Sequence, residues 1–313
     1  DFDLQIIRNR NTFLLNNIAH AFQSISVIVD VAKQLTVDGN QSVARMLMLR
    51  GMLFPIPTAT WLQFISSFLC VYGVAHVSHH LIQKSLRSYV HRRWTAKYRV
   101  AKLIENYKIT EVLFDKGILK SILNDRHVDL CELLGKRFRY QISIALAYSA
   151  RREGEFAVHF NEINSEIPLA RLTFLFCKDE RGRRVMIIGG LQGSPSYTSK
   201  HLIITATRDL FGMRPKQCVL ETVQYIAHAA KCEAIFGISN ANHAISGAAF
   251  RFLRHKVYAD YDAFWRERGG KLTADGLYEL PLLDPAAPKS TSSKGKTAVR
   301  SSITLGAIRL LKA

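Results

Sequence analysis

The first 135 residues carry apolar positions at helical spacing and predict a helical N-terminal region. Residues 11–35 repeat apolar side chains every three or four positions, as one face of an α-helix does. A proline-containing break follows at 53–58, and a second apolar stretch covers 61–77. A membrane-spanning helix needs about 20 apolar residues, and this stretch is shorter and interrupted by Gln63, Ser66 and Ser67. We therefore predict a buried or interfacial helix here.

From residue 136 to 283 the pattern changes to alternating apolar and polar positions, which is typical of strands. The predicted strands are 140–148, 155–160, 169–177, 184–190 and 234–239, with helices at 199–211 and 215–231 before the last strand. Four strands in succession favour an antiparallel meander. The predicted fold class is therefore α+β, with the helical region followed by a mixed, mostly antiparallel sheet flanked by helices.

The last segment, 284–313, is basic and begins with a run rich in Pro, Ser, Thr and Lys. This composition predicts a mobile tail. Residues 303–311 are apolar enough to form a short terminal helix within it.

The chain has 43 Lys and Arg against 25 Asp and Glu, a net charge of +18. Such a charge attracts polyanions: nucleic acid, an acidic lipid surface or a phosphate-bearing cofactor. Seven basic residues and no acid lie in 84–102, interleaved with Tyr89, Trp94 and Tyr98. The residues favour a solvated basic helix whose aromatic side chains pack inward. An anionic membrane surface is the second interpretation, and nucleic acid, for which no motif is present, the least favoured.

Five widely spaced cysteines without a C-x-x-C pair predict reduced thiols and no metal site. We expect a cytoplasmic protein, with a peripheral position at the inner membrane as the alternative. The first residue is Asp1, which leaves open whether a targeting segment precedes it. The sequence gives no indication of the oligomeric state.

An apolar strand at 185–193 ends in glycines and is followed by a helix. Glycines let backbone N–H groups approach a ligand, and a helix N-terminus favours negative charge, so this order suits a phosphate. It matches neither a Walker loop nor a G-x-G-x-x-G motif, and a simple tight turn is the competing interpretation. The candidate anion-binding residues are Gly190, Gln192, Gly193 and Ser194, with Arg208, Arg214 and Lys216 nearby.

Three further clusters carry polar side chains suited to catalysis. Asn240, Asn242 and His243 follow the last strand, where they can orient a substrate or accept a proton, although either Asn could instead cap a helix. Tyr258 and Tyr261 lie in an Asp- and Arg-rich cluster that ends in two glycines. Glu155, at the start of a strand, is a candidate general base or a turn residue.

Several of these segments resemble the VirK/YbjX family of Gram-negative bacteria. The matching segments, in order over roughly residues 45–283, are 151–155 (RREGE), 187–193 (IIGGLQG), 210–216 (LFGMRPK), 259–265 (ADYDAFW) with Gly269 and Gly270, and 277–281 (LYELP). The resemblance implies a link to the envelope and to virulence, and no defined biochemical activity.

The order of elements also resembles GNAT-type acyltransferases, in which the loop after a central strand binds coenzyme A pyrophosphate. That resemblance implies an acyl thioester donor, either acyl-coenzyme A or acyl carrier protein, at the glycine loop. It implies cofactor-arm contacts from Asn240 or Asn242. The function predicted on this basis is acyl transfer to an amine or hydroxyl, with His243 or Glu155 as base and Tyr258 or Tyr261 as acid. The alternative is a non-catalytic basic protein that binds an envelope or membrane surface.

Overall fold

A computed structural model of the chain describes residues 2–74, 77–163, 165, 168–194, 199–245, 260–284 and 293–312, with side chains from residue 20 onward except at Ser199. The chain divides into two compact units. The first contains residues 1–87 and 94–104, and the second contains 88–93 and 105–313.

The first unit is helical. Its elements are α1 (Phe2–Val37), α2 (Gln41–Met46), a π-helical turn (Leu47–Gly51), α3 (Pro55–Val71), α4 (His79–Ile82), a 3₁₀ turn (Gln83–Leu86) and the start of α5 (Ala96–Leu113). Helix α3 begins at Pro55, whose missing N–H costs nothing at a helix start. The core of the unit joins residues of α1, α2, the π-helical turn and α3, among them Ile28, Leu47 and Leu62. In the described part of the chain, no helix combines the length and apolar character needed to cross a membrane.

The second unit is built on one sheet, which contains eight strands within the described residues. The strands are β1 (Val128–Leu134), β2 (Arg139–Leu146), β3 (Phe156–Glu162), β4 (Pro168–Lys178), β5 (Arg184–Gly193), β6 (Ala234–Ile238), β7 (Lys271–Leu272) and β8 (Leu277–Leu280). Their order across the sheet is β1-β2-β3-β4-β5-β6-β8-β7. Every neighbouring pair is antiparallel except β5 and β6, which are parallel. The fold class is α+β, as predicted.

Helices flank this sheet. They are the rest of α5, α6 (Lys116–Leu123), α7 (Ser199–Asp209), α8 (Pro215–Ala229), α9 (Tyr261–Glu267) and α10 (Lys294–Arg309). Helix α8 packs against β3, β4 and β5, and α10 packs against α8 and β1. Phe156, Phe160 and Phe174, from β3 and β4, are fully buried and form the aromatic part of the core.

The prediction of a mobile basic tail is wrong for residues 293–312. These residues form α10, in which Val299 and Ile303 are buried. Arg300 of α10 donates to both carboxylate oxygens of Glu221 on α8, at 3.0 Å each. An apolar stripe and one ion pair therefore hold a segment whose composition alone indicated solvation.

Two predictions for the helical region also need correction. Strand β1 lies at 128–134, within the stretch predicted as helical. The basic segment 84–102 is not one helix: the 3₁₀ turn ends at Leu86, and α5 begins only at Ala96. Lys84, Arg99 and Lys102 are buried, so they do not form a solvated basic face.

Candidate functional site

Strands β5 and β6 separate at the end where the glycines lie. Their parallel pairing extends from Val185 and Ala234 to Ile188 and Gly237 and stops there. Strand β5 continues to Gly193 and stays paired with β4 through a bulge next to Ile188. The end of β5 therefore has one edge bound to β4 and one edge not paired with β6, a geometry in which backbone groups can meet other partners.

The loop between β2 and β3 crosses this bulge and brings Glu153 onto it. A Cβ on Gly189 would lie 2.0 Å from the Glu153 carbonyl oxygen, and a Cβ on Gly190 would lie 2.0 Å from Glu153 Oε2. Thr173 of β4 donates its hydroxyl to the Glu153 carbonyl at 3.0 Å. The glycines of the motif thus make room for a buried carboxylate, whose residue is 3% exposed.

Side chains from β4 and β5 continue the site. Gln192 donates its amide to both Glu153 oxygens at 3.0 Å, and its own oxygen accepts a hydrogen bond from Arg171. Arg171 also donates to Ser149. Arg171 and Gln192 face each other across β4 and β5, and His159 of β3 is the next residue in the same row. Burial, His127 and Arg171 lower the pKa of His159 to about 4.

His243, which follows β6, faces Glu153 from the other side. Its Nε2 lies 3.6 Å from Glu153 Oε1, and the side chain is 2% exposed. The backbone N–H of Ile245 donates to His243 Nδ1 at 3.3 Å. Because Nδ1 accepts this bond, the proton of the neutral ring belongs on Nε2, the nitrogen that lies 3.6 Å from Glu153 Oε1.

Tyr261 completes the cluster from the first turn of α9. The centre of its ring lies 5.3 Å from that of His243 and 6.3 Å from that of Trp265. The backbone of Leu191 in β5 is hydrogen-bonded to the phenol. Burial first, and the Glu153 charge second, raise the pKa of Tyr261. The phenol therefore keeps its proton at neutral pH. Asp260 fixes the start of α9 by accepting the N–H of Ala263 at 3.1 Å.

Glu155 lies only two residues from Glu153 but has different surroundings. It is fully buried, and its two oxygens accept hydrogen bonds from Tyr89 at 2.6 Å and Tyr107 at 2.7 Å. Burial and Glu155 raise the pKa of both phenols well above the ordinary value. Glu155 therefore holds two tyrosines to the sheet, and no described feature turns it toward a substrate.

Residues 88–93 connect both sides of the site. Val90 has a φ of 52°, which is strained for a β-branched residue. Its N–H donates to the Arg152 carbonyl at 2.6 Å, and the N–H of Arg92 donates to the Asn242 carbonyl at 2.8 Å. This segment therefore fixes the loop that carries Glu153 and the turn that carries His243, and strain at such a position is typical of functional sites.

The two asparagines hold turns. Asn240 donates to Asp260 at 2.8 Å and accepts the Tyr261 N–H at 3.0 Å. Asn242 donates to the Gly276 carbonyl at 3.1 Å. These contacts are those of structural residues, and a role in cofactor binding stays a prediction for both.

The remaining predicted site residues are dispersed. Gly193 ends β5, Ser194 follows it, and both are half-buried. Arg208 is exposed on α7, and Arg214, before α8, lies 3.4 Å from Glu267. Tyr258 lies outside the described residues. Across the described side chains, no group of three or more His, Cys, Asp and Glu could hold a metal ion.

The structure therefore joins Gly190, Gln192, His243 and Tyr261 of the predicted set around two residues that sequence reasoning missed, Glu153 and Arg171. Glu153 belongs to the RREGE segment, so its signal was present, but spacing could not decide which glutamate faces the glycines. Arg171 has no sequence signal, because it reaches the site only through the pairing of β4 with β5.

Comparison with known proteins shows which protein family the chain belongs to. A family model described as "Protein of unknown function (DUF535)" matches residues 40–294, most of the chain, and the chain belongs to this family. It is 27% identical over 269 residues to the uncharacterized protein YbjX of Escherichia coli K12, covering 84% of this chain and 81% of that protein. An uncharacterized protein of Haemophilus influenzae Rd is 25% identical over 198 residues, 63% of each chain. The resemblance to the VirK/YbjX family is thereby confirmed.

Proposed function

We propose that this protein transfers an acyl group from a thioester donor to an amine or hydroxyl acceptor at the end of β5. The observation that carries the proposal is the buried Glu153–His243 pair at the point where the parallel strands β5 and β6 separate. The element order supports it. Antiparallel strands, a glycine-containing strand end, two helices, a parallel strand and an Asn-containing turn follow one another as in GNAT-type acyltransferases.

The residues near Gly193 fit the phosphate groups of a coenzyme A donor. The position that a Gly193 Cβ would take lies 3.5 Å from Lys216 Cε, so a cation adjoins a glycine backbone at the start of α8. Burial lowers the pKa of Lys216, and a bound phosphate would favour its charged form. Lys216 and Gly193 are therefore the residues expected to hold the donor, and a carrier-protein phosphopantetheine has the same chemistry.

The thioester supplies an acyl group activated for attack by the acceptor. Glu153 would accept the proton of the acceptor, assisted by His243, whose Nε2 lies 3.6 Å from the carboxylate. Tyr261, which its raised pKa keeps protonated, would donate a proton to the leaving thiolate and regain one from Glu153, so that the proton lost by the acceptor ends on the thiol. Gln192 and Arg171 orient the carboxylate.

Isothermal titration of the full chain with acyl-coenzyme A and with acyl carrier protein tests the proposal. We expect one donor to bind and Lys216→Ala to weaken coenzyme A binding by roughly tenfold, the loss of one charged contact. The matched variant Lys120→Ala, exposed on α6, should bind as the wild type does. If neither donor binds protein whose folding is verified by circular dichroism, the proposal is wrong.

A second variant separates binding from chemistry. Glu153→Gln keeps the shape of the side chain and removes the base, so donor affinity should be retained. With a small primary amine supplied as the acceptor, release of free coenzyme A, measured by chromatography, should fall roughly a hundredfold or more. Release at the wild-type rate would show that Glu153 is not the base.

A further inference from the structure

The first unit exposes a group of large apolar side chains at one turn, between α2 and α3. We call residues 48–56 the apolar turn. Its exposed apolar residues, with their exposed fractions, are Met48 37%, Leu49 75%, Leu53 69%, Phe54 53% and Ile56 49%. Single exposed apolar residues are ordinary, but five within nine positions concentrate exposed apolar surface at one turn, which indicates a binding partner.

The inner side of the apolar turn is already filled. Leu47 is fully buried, Gly51 is buried, and Met52 packs against the helical core. Phe54 N–H donates to the Gly51 carbonyl, and Thr58 N–H donates to the Phe54 carbonyl, both at 3.1 Å. Because the backbone is held in this way, the exposed side chains cannot turn inward without displacing the core.

Along the chain, the charged residues on both sides of the apolar turn are of one sign. Between Asp38 and Glu105 the chain has no Asp or Glu and nine Lys and Arg. Arg45 and Arg50 are exposed and belong to α2 and the π-helical turn. A surface that meets the apolar turn must therefore tolerate or attract positive charge.

We propose that the apolar turn inserts into an anionic lipid bilayer. Apolar side chains that enter the acyl boundary beside arginines that meet anionic headgroups are the usual composition of an interfacial anchor. A second copy of the chain fits less well, because pairing two such turns would bring four arginines together without a carboxylate. The proposal concerns the first unit and does not depend on the transfer reaction proposed for the second.

Vesicle co-sedimentation with the full chain tests the proposal. Vesicles of phosphatidylglycerol and phosphatidylethanolamine should bind the protein, less at high salt, and phosphatidylcholine vesicles should bind it far more weakly. Leu53→Ser with Phe54→Ser should lower the partition coefficient at least tenfold. Arg45→Gln and Arg50→Gln should each lower it roughly fivefold.

Two controls separate insertion from general loss of structure. Leu305→Ser with Ile308→Ser removes exposed apolar residues of α10, 69% and 54% exposed, and should leave binding unchanged. In the Phe54→Trp variant, the fluorescence of the added tryptophan should shift to shorter wavelength with anionic vesicles and be quenched by brominated lipid. The tryptophan added in Leu305→Trp should show neither change.

Three results would overturn the proposal. The first is equal binding by the folded Leu53→Ser, Phe54→Ser variant and the wild type. The second is equal binding to neutral and anionic vesicles. The third is a dimer in light scattering that the same variant abolishes, without vesicle binding by the wild type, which would make a second copy the occupant.

Discussion

Glu153 and Glu155 show how two residues of one type, two positions apart, differ in role. Glu153 adjoins glycines, an amide and a histidine, and Glu155 adjoins two phenols in the core. Both are buried, so each needs its hydrogen-bond partners, because an unpaired buried carboxylate costs several kcal/mol.

Removing one phenol beside Glu155 should destabilise the protein. Tyr89→Phe or Tyr107→Phe removes a hydrogen bond to a buried carboxylate, at roughly 2–3 kcal/mol each. Urea unfolding measures the loss. Adding Glu155→Gln to Tyr89→Phe should recover part of it, since a neutral amide is less costly to leave partly unpaired; no recovery would contradict this account.

His159 should make stability depend on pH. Its folded pKa of about 4 lies below the ordinary 6.5, so the unfolded chain takes up this proton first as the pH falls. Above pH 6.5 this proton does not affect the free energy of unfolding. As the pH falls from 6.5 to 4, uptake of the proton by the unfolded chain lowers the free energy of unfolding by roughly 2–3 kcal/mol.

Unfolding free energies of the wild type and His159→Gln at several pH values check this. The variant should lose less stability over that range, whereas His201→Gln, exposed on α7, should follow the wild type. Identical curves for the wild type and His159→Gln would show that another group is responsible.

At the scale of the element, α10 stabilises the fold through close contact with β1. A Cβ on Gly306 would lie 2.9 Å from Cys131 Cβ and 3.0 Å from the Leu130 carbonyl oxygen. Alanine favours a helix over glycine by about 1 kcal/mol. Because the contact includes the Leu130 backbone, which cannot move aside, we expect the steric clash to outweigh the gain in helix propensity.

Gly306→Ala should therefore lower stability by roughly 1–3 kcal/mol, measured as a shift in the midpoint of thermal unfolding. The matched variant Leu305→Ala changes an exposed neighbour and should stay within about 0.5 kcal/mol of the wild type. A more stable Gly306→Ala would mean that α10 is not packed on β1 as described.

The sequence predicted the elements whose pattern of apolar residues is local, and it failed for elements that depend on distant contacts. Strand β2 alternates and strands β3 to β6 are largely apolar runs bounded by turn residues, and their predicted positions lie within a few residues of the observed ones. Strand β1 has neither a clean alternation nor a continuous apolar run. The basic segment 84–102 was misjudged because its segment 88–93 pairs with distant residues, including Arg152 and Asn242. The site was predicted where it follows β5 and β6 and missed where it depends on cross-strand pairing.

On the scale of the whole molecule, the charge of +18 has different consequences in different regions. In the second unit, carboxylates pair with particular basic residues, as Glu221 does with Arg300 and Asp179 with Arg183. Between Asp38 and Glu105 no carboxylate is available along the chain. Residues 39–104, about a fifth of the chain, therefore supply nine of its eighteen excess positive charges, although the basic helix first predicted as their source does not exist.

The segment 88–93 has a consequence for how the protein is made. A ribosome releases this segment long before the residues that it contacts. Tyr89 donates to Glu155, Val90 to the Arg152 carbonyl, and Arg92 to the Asn242 carbonyl. The nascent chain must therefore carry this segment without its contacts while about 150 further residues are synthesised. A chain shortened before residue 242 would leave this segment without its contact to Asn242. Because residues 94–104 belong to the first unit and follow residues 88–93 of the second, no single cut separates the two units into complete fragments.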